Sequence, residues 1–231
     1  MFPLNILLFQ SAKKAAKETE GESQNLVDII TAGGPISIAI FSVLLILSIM
    51  ALYIFIERWL TIKRAGKVDA NFMNNIRAAV VSGNLEGAKS LCKTTNTPTA
   101  RMVEKGLNRI GKPLRDIDAA IENVGNLEIF KLEKGLSTLA SISGAAPMIG
   151  FFGTVTGMIL AFHTMATADN VGPAQLAGGI YQALTTTAFG LLIGIISFVG
   201  YNLLVANVDK AVFNMEASTV EFMDLLQEPS N

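Results

Sequence analysis

The sequence predicts an all-α integral membrane protein with three transmembrane helices, and three observations carry that prediction. Between Leu136 and Val208 the only side chains charged or titrating near neutrality are Asp169 and His163, so two long apolar stretches lie back to back around a short polar hinge. A third stretch, Ile29 to Ile56, is also free of charge. Each exceeds the roughly 20 apolar residues needed to cross a hydrocarbon core of about 30 Å. The 231-residue chain as a whole is 51% hydrophobic and only 16% charged, a poor mixture for the surface of a soluble domain of this size. A soluble helical bundle is the competing reading, and stretches this long without a charge argue against it.

The charge distribution sets the expected orientation. The segment from Glu57 to Lys134 carries 14 of the 18 basic residues against 9 acids, with Arg58, Lys63, Arg64 and Lys67 just after the first apolar stretch and Lys131 and Lys134 just before the second. The hinge from His163 to Gly179 has no Lys or Arg. By the positive-inside rule the middle segment is cytoplasmic, the hinge and the N-terminus are outside, and the C-terminus is inside. Lys13, Lys14 and Lys17 run against the rule, but they precede the first crossing by many residues and are followed by Glu18, Glu20 and Glu22.

The elements follow in order. Residues 1–34 are expected to form an outer N-terminal arm: Met1 to Phe9 is apolar, but the basic residues follow it rather than precede it, which is the wrong order for a signal peptide. The first crossing is placed at 35–56, started by Gly33-Gly34-Pro35, since proline is tolerated in a first helical turn. Residues 57–135 are a cytoplasmic helical region, with helical spacing over Asn71–Val81 and Leu85–Lys93 and breaks at Ser82-Gly83-Asn84 and Asn96-Thr97-Pro98. From Asp116, the residues Ile117, Ile121, Val124, Glu128 and Leu132 recur at steps of three and four, predicting an amphipathic helix that runs straight into the second crossing at 136–163. A hinge at 164–179 and a third crossing at 180–206 come next. Residues 207–231 continue as a cytoplasmic helix whose apolar stripe is Val208, Val212, Met215, Val220 and Met223. One helix over Leu136–Ala168 is about 50 Å long at 1.5 Å per residue, so long cytoplasmic helical extensions are part of the predicted fold.

The second and third crossings each present a face of small residues. Steps of three and four align Ser143, Ala146, Gly150, Gly153, Thr154 and Gly157 on one helix, and Ala183, Thr187, Gly190, Gly194, Ser197 and Tyr201 on the other. Small residues let backbones approach closely in lipid, so helix packing is the simplest reading of both faces. Thr154 and Thr187 admit two readings: a hydroxyl satisfied on a carbonyl one turn back, or the lining of a hydrated path. Thr185, Thr186 and Thr187 in a row place at least one hydroxyl on any inward face. His163 suits an interfacial position or, by its ordinary pKa, proton handling.

The absences narrow the function. No Asp, Glu, Lys or Arg lies within any expected crossing, whereas a proton or ion relay normally needs such a group, so a conducted proton requires a carboxylate from another polypeptide. There is no basic tract with interleaved aromatics to hold nucleic acid. The one cysteine, Cys92, excludes an internal disulfide. No P-loop, nucleophile-base constellation, metal-ligand spacing or cofactor motif is present, which argues against an enzyme. Three unrelated crossings offer neither the internal repeat nor the broken-helix pair of a secondary transporter.

The stretch from Ala146 through Pro147, Gly150, Phe151, Phe152, Gly153, Thr154 and Gly157 to Ile159 resembles the second-crossing motif of the ExbB/TolQ/MotA proton-channel family. Gly179 to Leu191, with Tyr181, Gln182, Ala183, Thr187 and Gly190, is similar to the start of that family's third crossing, and Tyr201-Asn202 to its inner end. Three crossings with the N-terminus outside resemble ExbB and TolQ. The likeness implies a subunit of an inner-membrane motor, five copies surrounding two copies of a single-span ExbD/TolR-like partner whose membrane Asp takes up protons. It implies work delivered through a TonB-like protein for uptake, or, as the alternative, a Tol-Pal-like system for envelope integrity. It places Thr154, Thr187, Gln182, Tyr201 and Asn202 on the proton pathway, the arm and hinge in the periplasm, and Gly150, Gly153, Gly157, Gly190 and Gly194 in helix packing. Gln182 stands where many ExbB-type sequences have Glu, and Ala206 and Asn207 stand where a basic residue often follows. A non-conducting membrane scaffold is the alternative from another class.

Overall fold

The computed structural model describes residues 34–66, 71–167 and 172–227, and all regular structure among them is α-helical. The elements are α1 (Gly34–Ala65), α2 (Phe72–Val81), α3 (Leu85–Thr95), α4 (Pro98–Leu107), α5 (Leu114–Glu133), α6 (Leu136–Thr167) and α7 (Pro173–Gln227). Three stretches are long and apolar enough to cross a membrane: α1, α6 with the α5 segment before it, and α7. Large apolar side chains such as Leu45, Ile49 and Leu52 of α1, Phe151 and Phe152 of α6, and Ile195 and Ile196 of α7 are exposed. An apolar outer surface of this kind is what a lipid environment requires and what a soluble protein avoids. The chain is a membrane protein.

The helix limits follow from local chemistry. Gly34 starts α1 at φ +73°, a conformation open to glycine, and Lys63 and Arg64 close its last turn, where cations suit the negative end of the helix dipole. The Asn84 side chain accepts from the Gly87 N–H to cap α3, and Thr97 accepts from Ala100 N–H to cap α4, with Pro98 in the first turn. Asn96 ends α3 in the left-handed region at φ 46°. The breaks at Ser82–Asn84 and Asn96–Pro98 therefore fall where the turn residues place them.

Two expectations are corrected. The amphipathic helix does not run straight into the second crossing: Lys134 and Gly135 form a turn between α5 and α6, with Gly135 at φ +83°. On the C-terminal stripe Val220 is 61% exposed, while the buried positions are Val208, Ala211, Met215, Ser218, Phe222 and Leu225. The third crossing does continue without a break, since α7 is one helix of 55 residues. That is about 80 Å at 1.5 Å per residue, far more than the hydrocarbon core needs. Helix α6 reaches Thr167 and α7 begins at Pro173, so most of the expected hinge is helical. The N-terminal arm up to residue 33 and Asp169 lie outside the described residues.

The described residues form two compact units, residues 34–44 with Ile149–Gly190, and residues 45–148 with 191–227. In the first, α1 meets α7 through an edge-to-face pair of Phe41 and Phe189, ring centroids 5.8 Å apart. The second holds a hydrophobic core to which all seven helices contribute, including Ile62, Phe72, Ile76, Cys92, Val103, Ile121, Leu139, Leu204 and Phe222. Gly106 of α4 sits directly under Phe222, because a Cβ there would lie 2.5 Å from the ring. Burial pushes the Cys92 thiol up to about 12, with the Glu104 charge adding to it, so this cysteine is an inert core residue.

Candidate functional site

In the first unit, α6 and α7 pack at backbone distance because the facing positions carry almost no side chain. A Cβ on Gly150 would lie 2.9 Å from the Thr186 carbonyl oxygen and 3.1 Å from the Cα atoms of Thr187 and Gly190. A Cβ on Gly157 would lie 2.7 Å from that of Ala183, and one on Gly153 would strike the Thr186 side chain. Gly150, Gly153 and Gly190 are buried. In the second unit the same economy recurs at Gly194, whose Cβ would lie 2.5 Å from Pro147 Cγ and 3.1 Å from the Ser143 carbonyl oxygen. Pro147 sits inside α6 and has no N–H to give that carbonyl. The hydroxyl of Ser197, one turn on from Gly194, is buried and has no hydrogen-bond partner among the described residues.

Close approach brings hydroxyls together around one carbonyl. Thr187 Oγ1 donates to the Gly150 oxygen at 2.9 Å, Thr186 Oγ1 lies 3.2 Å from the same oxygen, and Thr154 Oγ1 lies 3.4 Å from it. Thr154 and Thr187 are in direct hydroxyl-to-hydroxyl contact. Each threonine has one O–H to give, and the short bond from Thr187 to Gly150 uses its own. Thr154 is then the donor to Thr187, and its oxygen keeps acceptor capacity. Thr186 is 1% exposed and gives its hydroxyl to the Ala183 carbonyl at 2.7 Å. Thr185 turns the other way and back-bonds to Tyr181 at 2.8 Å.

Of the five residues expected on the pathway, the first unit holds Thr154, Thr187 and Gln182. Gln182 is buried on α7 and engaged in its surroundings. Tyr201 and Asn202 belong to the second unit: Tyr201 is half-buried against the core, and Asn202 is exposed with Nδ2 donating to the Phe198 carbonyl at 2.9 Å. His163 is exposed near the end of α6. The role of Thr186 is visible only in the structure, since three consecutive threonines leave the facing member open. No group of three potential metal ligands occurs among the described residues.

The second unit contains a polar cluster that the sequence does not single out. Glu128 is 3% exposed, and its carboxylate accepts from Arg101 Nη2 at 2.5 Å and from Lys131 Nζ at 2.7 Å. Burial pushes its pKa up, but the hydrogen bonds and charges of Arg101 and Lys131 outweigh this and hold it below the usual carboxylate range. Arg101 also donates to the carbonyl and side-chain oxygen of Asn96, at 3.0 and 2.8 Å, so one guanidinium ties the end of α3 to α5. An acid on the apolar face of a helix was the available signal; its partner 27 residues earlier was not.

Fold and site together define a polytopic helical membrane protein with a hydroxyl-lined contact between two glycine-rich crossings, neither of which carries an Asp, Glu, Lys or Arg within its expected span. The family model for the MotA/TolQ/ExbB proton channel family matches residues 94–217. The chain belongs to that family. It is 26% identical over 194 residues to the biopolymer transport protein ExbB of Neisseria meningitidis, covering 78% of this chain and 87% of that protein. It is 33% identical over 122 residues to the Tol-Pal system protein TolQ of Pseudomonas aeruginosa, covering 50% of this chain and 53% of that one. An ExbB homolog of Methanothermobacter thermautotrophicus is 31% identical over 134 residues, 58% of this chain and 47% of its own, so the match spans about half of that relative's length.

Proposed function

We propose that this chain is the proton-channel and stator subunit of an inner-membrane motor, which couples the proton motive force to work at the outer membrane. In this reading the N-terminus is periplasmic, the C-terminus is cytoplasmic, and a ring of five copies surrounds two copies of an ExbD/TolR-like single-span subunit. The observation that carries the reading is the Thr154–Thr187 pair on Gly150. It offers an oxygen acceptor in a region with no carboxylate of its own, which suits a protonated Asp arriving from a partner. Gln182 and, further along α7, Tyr201 and Asn202 are the other proposed pathway residues. The ExbB-type output is work through a TonB-like protein. A TolQ-type output through a Tol-Pal-like system is the second reading, for which the match to a TolQ protein at 33% identity gives support of the same order as the ExbB matches give the first. A scaffold that conducts nothing is the alternative that the test below eliminates or establishes.

The test is proton flux into liposomes holding the purified complex of this chain and its single-span partner. Flux is expected with the native partner and lost when the partner's membrane Asp is replaced by Asn. Flux that survives this replacement contradicts the donated carboxylate, and a native complex without flux establishes the scaffold.

A further inference from the structure

The second unit contains a cleft of about 310 Å³ between the C-terminal end of α1 and the stretch of α7 from residue 204 to 214. Its floor is apolar, with Ile62 and Leu204 both buried. Its rim carries Lys63, Lys210 and Asn207, and Trp59 stands at its edge, 39% exposed. Among the described residues, the two lysines are its only ionisable lining residues. Among the described residues neither lysine is ion-paired. Asn207 uses one N–H on the Leu203 carbonyl at 2.7 Å, and its amide carries a second.

The position of the cleft decides what those cations meet. The charge-free run of α1 ends at Glu57 and that of α7 at Asp209, so the cleft lies where both helices leave the hydrocarbon. Tryptophan prefers the headgroup level for its mixed polarity, and lysine reaches the same level from the end of a crossing. Two cations with no ion pair among the described residues, over an apolar floor at this depth, match a phosphate with acyl chains attached. We propose that this cleft binds the phosphate headgroup of an anionic phospholipid, with Lys63 and Lys210 on the phosphate and the glycerol end on the apolar floor. A zwitterionic headgroup brings its own cation, which the two lysines repel, so the site selects for net negative charge. The inference rests on the membrane reading of α1 and α7 and not on proton conduction, so the two can fail separately.

The experiment is native mass spectrometry of the full-chain complex released from nanodiscs of phosphatidylcholine doped with phosphatidylglycerol. Wild type is expected to retain phosphatidylglycerol in preference to phosphatidylcholine. One lysine near an anionic headgroup contributes about fivefold in affinity, so Lys63→Gln/Lys210→Gln loses roughly 25-fold. The charge-retaining Lys63→Arg/Lys210→Arg keeps the lipid, as does Lys105→Gln/Lys112→Gln, which removes two exposed lysines elsewhere. Equal retention by the Lys63→Gln/Lys210→Gln variant overturns the proposal, and so does equal retention of phosphatidylcholine. Release of the lipid by millimolar inorganic phosphate also overturns it, because the cleft would then be a site for the free anion.

Discussion

The hydroxyl of Thr154 rests on that of Thr187, which in turn donates to the Gly150 carbonyl at 2.9 Å, so the two side chains form a directed chain that leaves α6 at Thr154, passes through α7 and returns to α6 at Gly150. Neither threonine only back-bonds within its own helix. Thr187 reaches across to α6, and Thr154 lies 3.4 Å from the Ala183 carbonyl of α7. The pair therefore depends on the separation of the two helices, which the glycines set.

That dependence gives a packing prediction. In Gly150→Ala the new methyl meets backbone atoms of Thr186, Thr187 and Gly190 that cannot rotate away. The helices must separate, at a cost of about 1–3 kcal/mol, and the threonine pair opens. Gly144→Ala, where nothing lies within 4 Å of the new Cβ, is neutral or stabilising by up to about 1 kcal/mol from helix propensity. Thermal unfolding of the two variants in detergent checks the contrast.

Glu128 predicts a pH signature in the second unit. Its folded pKa lies below the ordinary value because of Arg101 and Lys131. A depressed carboxylate stabilises the fold above its unfolded pKa, about 4.3, and loses that contribution as the pH falls through the folded value. The stability gap between wild type and Glu128→Gln is therefore constant above about pH 5 and closes below pH 4. Arg101→Ala leaves a buried carboxylate with one exposed partner and costs about 2–4 kcal/mol, whereas Lys131→Ala costs under about 1 kcal/mol. Urea melts across pH measure both.

Much of the fold is readable in the chain, and each miss has its own physical cause. Charge-free length alone located the three crossings, because lipid tolerates little else. Steps of three and four located Gly150, Gly153 and Thr154 on one face. They failed at Val220 and Phe222 because stepping by threes and fours leaves the phase of a 3.6-residue period undetermined over a helix as long as α7. Glu128 was visible as an acid on an apolar face, but Arg101 was not visible as its partner, since no local period links α4 to α5. Gly135 reads as an ordinary glycine until its φ of +83° shows that it breaks the helix.

Gln182 separates hydrogen bonding from titration. It is buried and engaged, so Gln182→Leu leaves a polar neighbour unpaired at about 1–3 kcal/mol and lowers activity at every pH. Gln182→Glu keeps the hydrogen-bonding shape and preserves activity near neutral pH, while adding a pH dependence that glutamine lacks. Activity of both variants across pH checks this; a fully active leucine variant removes any polar role from the position.

In the proposed motor the Thr154 and Thr187 hydroxyls serve a carboxylate carried by the partner, and proton flux through the reconstituted complex reads that role. Thr→Val at either position keeps the shape and removes the oxygen, whereas Thr→Ser keeps the oxygen and removes a methyl. Thr154→Val and Thr187→Val are each expected to assemble normally but abolish flux, and Thr154→Ser and Thr187→Ser to conduct. Wild-type flux from both valine variants would contradict it and reduce the pair to helix packing.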